Sequence, residues 1–406
     1  VRRYRGSAGA AGRGADRRFR VMTGTPRSSP SVLFAVTEDW YFWSHRKPLA
    51  AFLQRHGWVV TVATRFNRFE TRLRELGFNC IALPFERSLR YPVRDLRAIV
   101  SLWRAIRRTQ PDVVHLVSLK PILLSALALV CERRTRFVAA FTGMGYLFSS
   151  RDRRAHWYRR GVVALLRLLL RRRTCWIIVQ NEDDRALLHS ERLGDPARTI
   201  LIRGVGVDIA TFSYREAVAD GAPVVVLPAR LIRDKGIEEF VAAARELKRR
   251  SVAVRCVLAG ADDPDNPAAI ARATIDAWVA EGIVEWWGHR DDMPSVYHAA
   301  DIVCLPSYRE GLPKVLIEAA ACGCPLIATD VAGCREVCRD GENGTLVPPR
   351  SAPALADAIA ELVAAPALRR RYGRAGRELV EAEFSLDRIG GETLACYARI
   401  LAAGPA

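Results

Sequence analysis

Ser307-Tyr308-Arg309-Glu310-Gly311-Leu312-Pro313-Lys314-Val315-Leu316-Ile317-Glu318-Ala319-Ala320-Ala321 follows a short apolar run at 301–305. The pattern predicts a strand, a tight loop and a helix start. Glu310 and Glu318 stand eight positions apart. Gly311 permits a close approach, and Pro313 suits the first helical position, where no N–H is required. Free N–H groups and the positive end of the helix dipole then face outward from the strand tip, which favours an anion such as a diphosphate. Glu318 falls roughly 7 Å up the helix at ~1.5 Å per residue. One carboxylate would meet a sugar and the other a ribose. Spacing alone leaves a plainer reading open, in which Glu318 pairs with Lys314 one turn earlier.

The chain has 406 residues, half of them hydrophobic, enough for two or three domains with a sizeable core. Its net charge of +18 is unevenly spread. Residues 1–205 hold 39 Lys and Arg against 15 Asp and Glu, while residues 206–406 hold 23 against 29. A basic front half favours polyanions such as a pyrophosphate or an anionic lipid surface. Ten cysteines are scattered, mostly in apolar contexts, and Cys322-Gly323-Cys324 has no second pair or nearby His. Buried free thiols and a reducing compartment are expected, not zinc. No run of 18 apolar residues reads as a membrane span. Residues 1–30 form a basic Arg-, Gly- and Ser-rich leader expected to be disordered, with Met22 as the expected true start.

From residue 31 apolar runs alternate with helical patterns. Strands are expected at 31–36, 58–64, 79–83, 112–117, 137–141 and 175–179, with helices between them. This is an α/β pattern with a parallel sheet, so functional groups should gather in the loops after the strands. Thr37-Glu38-Asp39-Trp40-Tyr41-Phe42-Trp43-Ser44-His45 reads as an aromatic and acidic loop. Glu38 or Asp39 there would act as a base, grip a hydroxyl, or merely face solvent. His115 lies inside a strand, as a core residue or a functional one, with Lys120 just after it. Gly143 and Gly145 follow another strand and allow either close backbone approach or a plain turn. The segment 151–173 has nine arginines and one Asp with aromatic and aliphatic residues between them. It reads as a basic amphipathic helix, lying on an anionic membrane or packed with a solvated face. No aromatic-basic motif of the RNA-binding type accompanies it, so nucleic acid is not expected.

A boundary near Gly206 divides the chain. Beyond it, strands are expected at 223–227, 252–258, 283–287, 301–305 and 325–329, and three helices close the chain at 352–364, 367–383 and 386–401. Arg230 and Lys235 share one strand-to-helix loop, where two cations can neutralise a departing diphosphate or be ordinary surface charges. Asp263-Pro264-Asp265 is a poor metal pair between prolines. Gly288-His289-Arg290 is another strand-end loop.

Pro228-Ala229-Arg230-Leu231 with Lys235-Gly236, Glu310 and Glu318, and Asp330-Val331-Ala332-Gly333 through Asn343-Gly344-Thr345-Leu346-Val347-Pro348 occur in one order and spacing. In these the chain resembles glycosyltransferase family 4, retaining enzymes of the two-domain GT-B fold. The resemblance implies two Rossmann-like domains facing across a cleft. They would be an acceptor-side domain at 31–205 and a nucleotide-sugar domain at 206–384, with the helix at 385–406 packing back on the first. It implies catalytic roles for Arg230, Lys235, Glu310 and His115. The donor would be bound by Gly288, His289, Arg290, Leu312, Pro313, Lys314, Val315, Leu316 and Glu318. Glu38, Asp39, Lys120, Gly143 and Gly145 would serve the acceptor. The aromatic first loop, His115 with Lys120-Pro121, and Gly143 with Gly145 resemble members that build bacterial surface polysaccharides. The expected substrates are a UDP-sugar and a polyprenyl-diphosphate-linked sugar, with no cofactor and no metal. The expected place is the cytoplasmic face of the cell membrane, bound peripherally. Two departures stand out: the first loop lacks the family's glycine pair, and Pro313 replaces the usual glycine. A sugar-nucleotide epimerase of the same layout and a non-enzymatic basic membrane-binding protein remain open.

Overall fold

The computed structural model describes residues 29–86, 92–128, 135–144, 153–216, 221–264 and 266–403. Most of the leader, Met22 included, and Gly145 and Asp265 lie outside these residues.

The front half builds a seven-stranded parallel sheet. Its strands are β1 (Ser31–Glu38), β2 (Val59–Arg65), β3 (Asn79–Ala82), β4 (Val113–Val117), β5 (Phe137–Ala140), β6 (Cys175–Val179) and β7 (Thr199–Leu201). The spatial order is β3-β2-β1-β4-β5-β6-β7. The rear half builds a six-stranded parallel sheet from β8 (Val224–Pro228), β9 (Arg255–Ala259), β10 (Glu285–Gly288), β11 (Ile302–Leu305), β12 (Leu326–Thr329) and β13 (Gly344–Val347). Its order is β10-β9-β8-β11-β12-β13. The central strands are buried from end to end, as in Val113–Val117 and Val224–Pro228. Continuous β-branched and apolar runs of this kind need helices on both faces of the sheet.

Each sheet reverses direction of growth once, between β1 and β4 in front and between β8 and β11 behind. Loops diverge at such a point and leave a crevice at the strand carboxyl ends. The residues after β1, β8 and β11 are therefore placed by topology to share a site.

Residues expected to form an aromatic loop are ordered otherwise. β1 runs on to Glu38, and Asp39–His45 is a helix. Asp39 anchors it: Oδ2 accepts from the backbone N–H groups of Asn67, Arg68 and Phe69 at 2.8, 2.7 and 2.8 Å. Phe42 fills the core beside Phe34 and Phe78. The final helix, Leu386–Ala402, returns to the front half. Its Ile389, Cys396, Tyr397 and Ile400 belong to the same buried cluster as Val32, Phe34 and Leu53. The crossing is knitted where Leu386 N donates to Val207 O at 2.9 Å and Val207 N to Phe384 O at 2.9 Å. Gly206, with φ 75°, allows this contact, since a Cβ there would lie 2.6 Å from the Leu386 Cα.

Eight of the cysteines are buried and free, and Cys80 is half-buried and free. Among the described residues, no helix is long and apolar enough to cross a membrane.

Candidate active site

The two sheets meet through their strand-end loops. Gly311 lies against Thr142 and Gly143; a Cβ on Gly311 would fall 2.0 Å from the Thr142 carbonyl oxygen. Asn181 Nδ2 donates to the Gly311 carbonyl at 2.7 Å. The glycines expected to approach a ligand are thus spent partly on bringing the two domains together. Beside this junction is a pocket of about 270 Å³. Its lining includes Tyr41, His45 and Arg46 from the helix after β1 and its cap, Thr142 and Gln180 from just beyond β5 and β6, and Arg230, Glu310 and Lys314 from the rear.

The rear wall carries paired charges. Lys235 Nζ donates to Glu310 Oε1 at 2.5 Å, joining the loops after β8 and β11. Arg230 Nη1 donates to Asp263 Oδ2 at 2.6 Å, and its guanidinium stands 6.0 Å from the Trp40 ring of the front domain. Glu318, 3% exposed, is on the second turn of the helix Lys314–Ala321. It accepts from Lys314 and, through Oε2, from the Tyr297 hydroxyl at 3.0 Å. The plain Lys314–Glu318 pair does form, but in a buried setting beside the pocket. Burial, then Glu318, drives the Tyr297 pKa far up, so the phenol remains a donor.

Pro313 is not the first helical residue. The helix begins at Lys314, and Pro313 is its cap in an extended conformation with no side-chain cap bond. Leu312 lines the pocket, whereas Leu316 points into the core. Val315 is half-buried against that core. Gly288, His289 and Arg290 end the edge strand β10. His289 Nε2 lies 3.2 Å from Asp291 Oδ1, and Asp291 faces Arg68 of the front domain at 3.7 Å. That loop therefore flanks the cleft at its far end.

Four front-half residues expected at the site are each engaged by a protein partner. His115 is 1% exposed and sits under the returning helix, with Nδ1 at 2.6 Å from the Tyr397 hydroxyl. It does not line the pocket. Burial, then Arg46, holds its pKa well below the usual value. Asp39 is wholly buried and used by the three N–H groups named above. Glu38 is 4% exposed and accepts from Arg65 at 2.5 Å and Asn67 Nδ2 at 3.0 Å. Lys120 is held to Asp95 at 2.8 Å. Each was placed by chain position in or just after a strand, and each partner comes from a distant segment.

The histidine that does line the pocket is His45, which sequence reading passed over. Its ring stacks on Tyr41 with centroids 4.3 Å apart, and Nδ1 lies 2.6 Å from Ser44 Oγ. Burial, then Lys314 and Arg46, pushes its pKa down to about 3, so it is neutral at ordinary pH. Its signal in the sequence was its place at the end of an aromatic stretch after the first strand. Among the described residues no cluster of His, Cys, Asp and Glu could hold a metal ion.

Two parallel sheets joined through their strand-end loops across a cleft are the layout of the GT-B fold. Residues 31–181 match the family "Glycosyl transferase 4-like", and residues 222–365 match "Glycosyl transferases group 1". The chain belongs to these glycosyltransferases, one domain from each description. EpsD of Bacillus subtilis is 27% identical over 358 residues, covering 86% of this chain and 91% of that protein. The N,N'-diacetylbacillosaminyl-diphospho-undecaprenol alpha-1,3-N-acetylgalactosaminyltransferase of Campylobacter jejuni is 25% identical, covering 80% and 87%. Among solved structures, sucrose-phosphate synthase from Thermosynechococcus elongatus superposes with a TM-score of 0.77 at 24% identity, covering 93% of this chain and 100% of that one. HepE of Anabaena in complex with UDP gives 0.73 at 17%, covering 91% and 100%.

Proposed function

We propose that this chain transfers a hexose or N-acetylhexosamine from UDP-sugar to a lipid-linked sugar acceptor in cell-surface polysaccharide biosynthesis, retaining the anomeric configuration. The observation that carries the reading is the convergence of Arg230, Glu310 and Lys314 at the pocket between the domains, with Lys235 bonded to Glu310. The Campylobacter jejuni relative is supporting, since its name specifies an undecaprenyl-diphosphate-linked acceptor.

In this reading Arg230 and Lys235 receive the diphosphate and stabilise the charge that grows as the C1–O bond to the β-phosphate breaks. Glu318 takes the ribose hydroxyls, and Glu310 takes a hydroxyl of the transferred sugar. The acceptor oxygen bonds to C1 on the face the phosphate leaves, and its proton passes to a phosphate oxygen. The basic front domain would rest against the anionic inner face of the membrane. Side-chain cations supply the charge that a metal would otherwise supply, so activity is expected to persist in EDTA. Loss restored by magnesium or manganese would remove that part.

The test begins with thermal stabilisation by a panel of nucleotide sugars, then an assay of the best with polyprenyl-diphosphate sugars. UDP formed only when acceptor is present supports transfer. Sugar isomerisation without acceptor would replace it with the epimerase reading.

A further inference from the structure

Arg46 follows His45 directly and is 3% exposed. It lines the cleft pocket, and its Nε has no hydrogen-bond partner. No acidic side chain among the described residues pairs with it. The groups that feel its charge are the phenols of Tyr41, which hydrogen-bonds the guanidinium, and of Tyr397, and the rings of His45 and His115; none of them is a carboxylate. Arg369, 2% exposed, also has an Nε without a partner, but it lies away from the pocket and its Nη1 donates to the carbonyls of Leu362 and Val363 at 2.7 and 2.8 Å. A guanidinium stays protonated under all ordinary conditions. Burying one without a counter-charge is costly, and an anion that arrives later relieves the cost.

We propose that Arg46 is an anion subsite of the cleft, taking a phosphate-class group on the front-domain side while Arg230 and Lys235 serve the rear. Lys314 lines the same pocket and adds a second cation. Neutral His45 beside it can bond a phosphate oxygen or hydroxyl without competing for the anion. Two sources share this chemistry: the donor diphosphate and the diphosphate of a lipid-linked acceptor. Only the choice between them rests on the proposed transfer reaction.

The test uses the full chain, with inorganic pyrophosphate as the probe and melting temperature as the readout. Arg46→Met is expected to weaken pyrophosphate at least tenfold, with a ligand-free melting temperature equal to or above wild type. UDP is titrated in parallel. A matching loss of UDP affinity assigns the subsite to the donor; unchanged UDP affinity with lost pyrophosphate affinity assigns it to the acceptor. The proposal is overturned if wild type does not bind pyrophosphate, or if Arg46→Met binds it within twofold of wild type. The latter result with a lowered melting temperature makes Arg46 a purely structural cation. Should Arg46→Met fail to fold, Arg46→Lys keeps the charge and loses the planar fork; it is expected to cost about threefold, and an unchanged affinity overturns the proposal. Wild type that binds pyrophosphate but no nucleotide or nucleotide sugar would end the donor reading and leave the subsite standing.

Discussion

Arg230→Ala separates chemistry from stability. The Arg230 side chain is 42% exposed, and its one ion pair among the described residues, with Asp263, is open to solvent on the arginine side. Exposed pairs contribute about 0–1 kcal/mol, so unfolding free energy should change by less than about 1 kcal/mol. The same guanidinium borders the pocket opposite Trp40, where negative charge would develop on the departing diphosphate. Removing one preorganised donor of this kind costs about 2.7–4 kcal/mol in the transition state, or about 10²–10³ in kcat. The assay is UDP release from the donor in the presence of acceptor, with urea unfolding on the same preparations. Arg230→Lys should recover part of the rate, since charge returns without the planar fork. A kcat within threefold of wild type for Arg230→Ala would refute the reasoning. So would a stability loss of several kcal/mol, because the rate effect would then be structural.

Glu318→Ala should raise the donor KM by about tenfold with a smaller change in kcat, as expected for a group that binds a remote ribose; an unchanged KM in steady-state kinetics rejects that role. Asp39→Ala should cost about 2–4 kcal/mol in denaturant unfolding, because three backbone N–H groups lose their shared acceptor, and a loss below 1 kcal/mol would contradict this. His45 and His115 both have folded pKa values below the ordinary 6.5, so the unfolded chain binds more protons in acid. Their contribution is complete above about pH 6.5 and is lost as pH falls below it, for His45 down to about 3, with a slope of up to about 1.4 kcal/mol per pH unit for each. Unfolding at pH 7.5, 6 and 5 measures this; His45→Gln with an undiminished slope between pH 6 and 5 would exclude His45 as a source.

The sheets were legible because their strands are short, fully apolar and separated by helical patterns, as Val224–Pro228 illustrates. The rear side of the cleft was legible for a related reason: Arg230, Lys235 and Glu310 lie in strand-end loops, Glu318 lies on the helix that follows one of them, and topology converts chain position into spatial position. The front wall was not. Asp39 reads as a loose acid until Asn67, Arg68 and Phe69 are brought to it from some 28–30 residues away. His115 reads as a strand-tip histidine until Tyr397 covers it from 282 residues away. The helix Asp39–His45 was hidden by its composition, since aromatic residues are weak helix formers and tertiary packing of Phe42 decides the outcome. Arg46 gave no local signal at all, because what marks it is the lack of an acidic counter-charge among the described residues in three dimensions.

The returning tail has a consequence for recombining such enzymes. Residues 386–402 follow the rear domain in sequence, yet their apolar face is part of the front domain's interior. A chimera cut only near Gly206 would graft a foreign tail onto that interior. Specificity swaps should therefore exchange three blocks, with the tail travelling alongside the first domain and the seam at Ser385 matched to Val207.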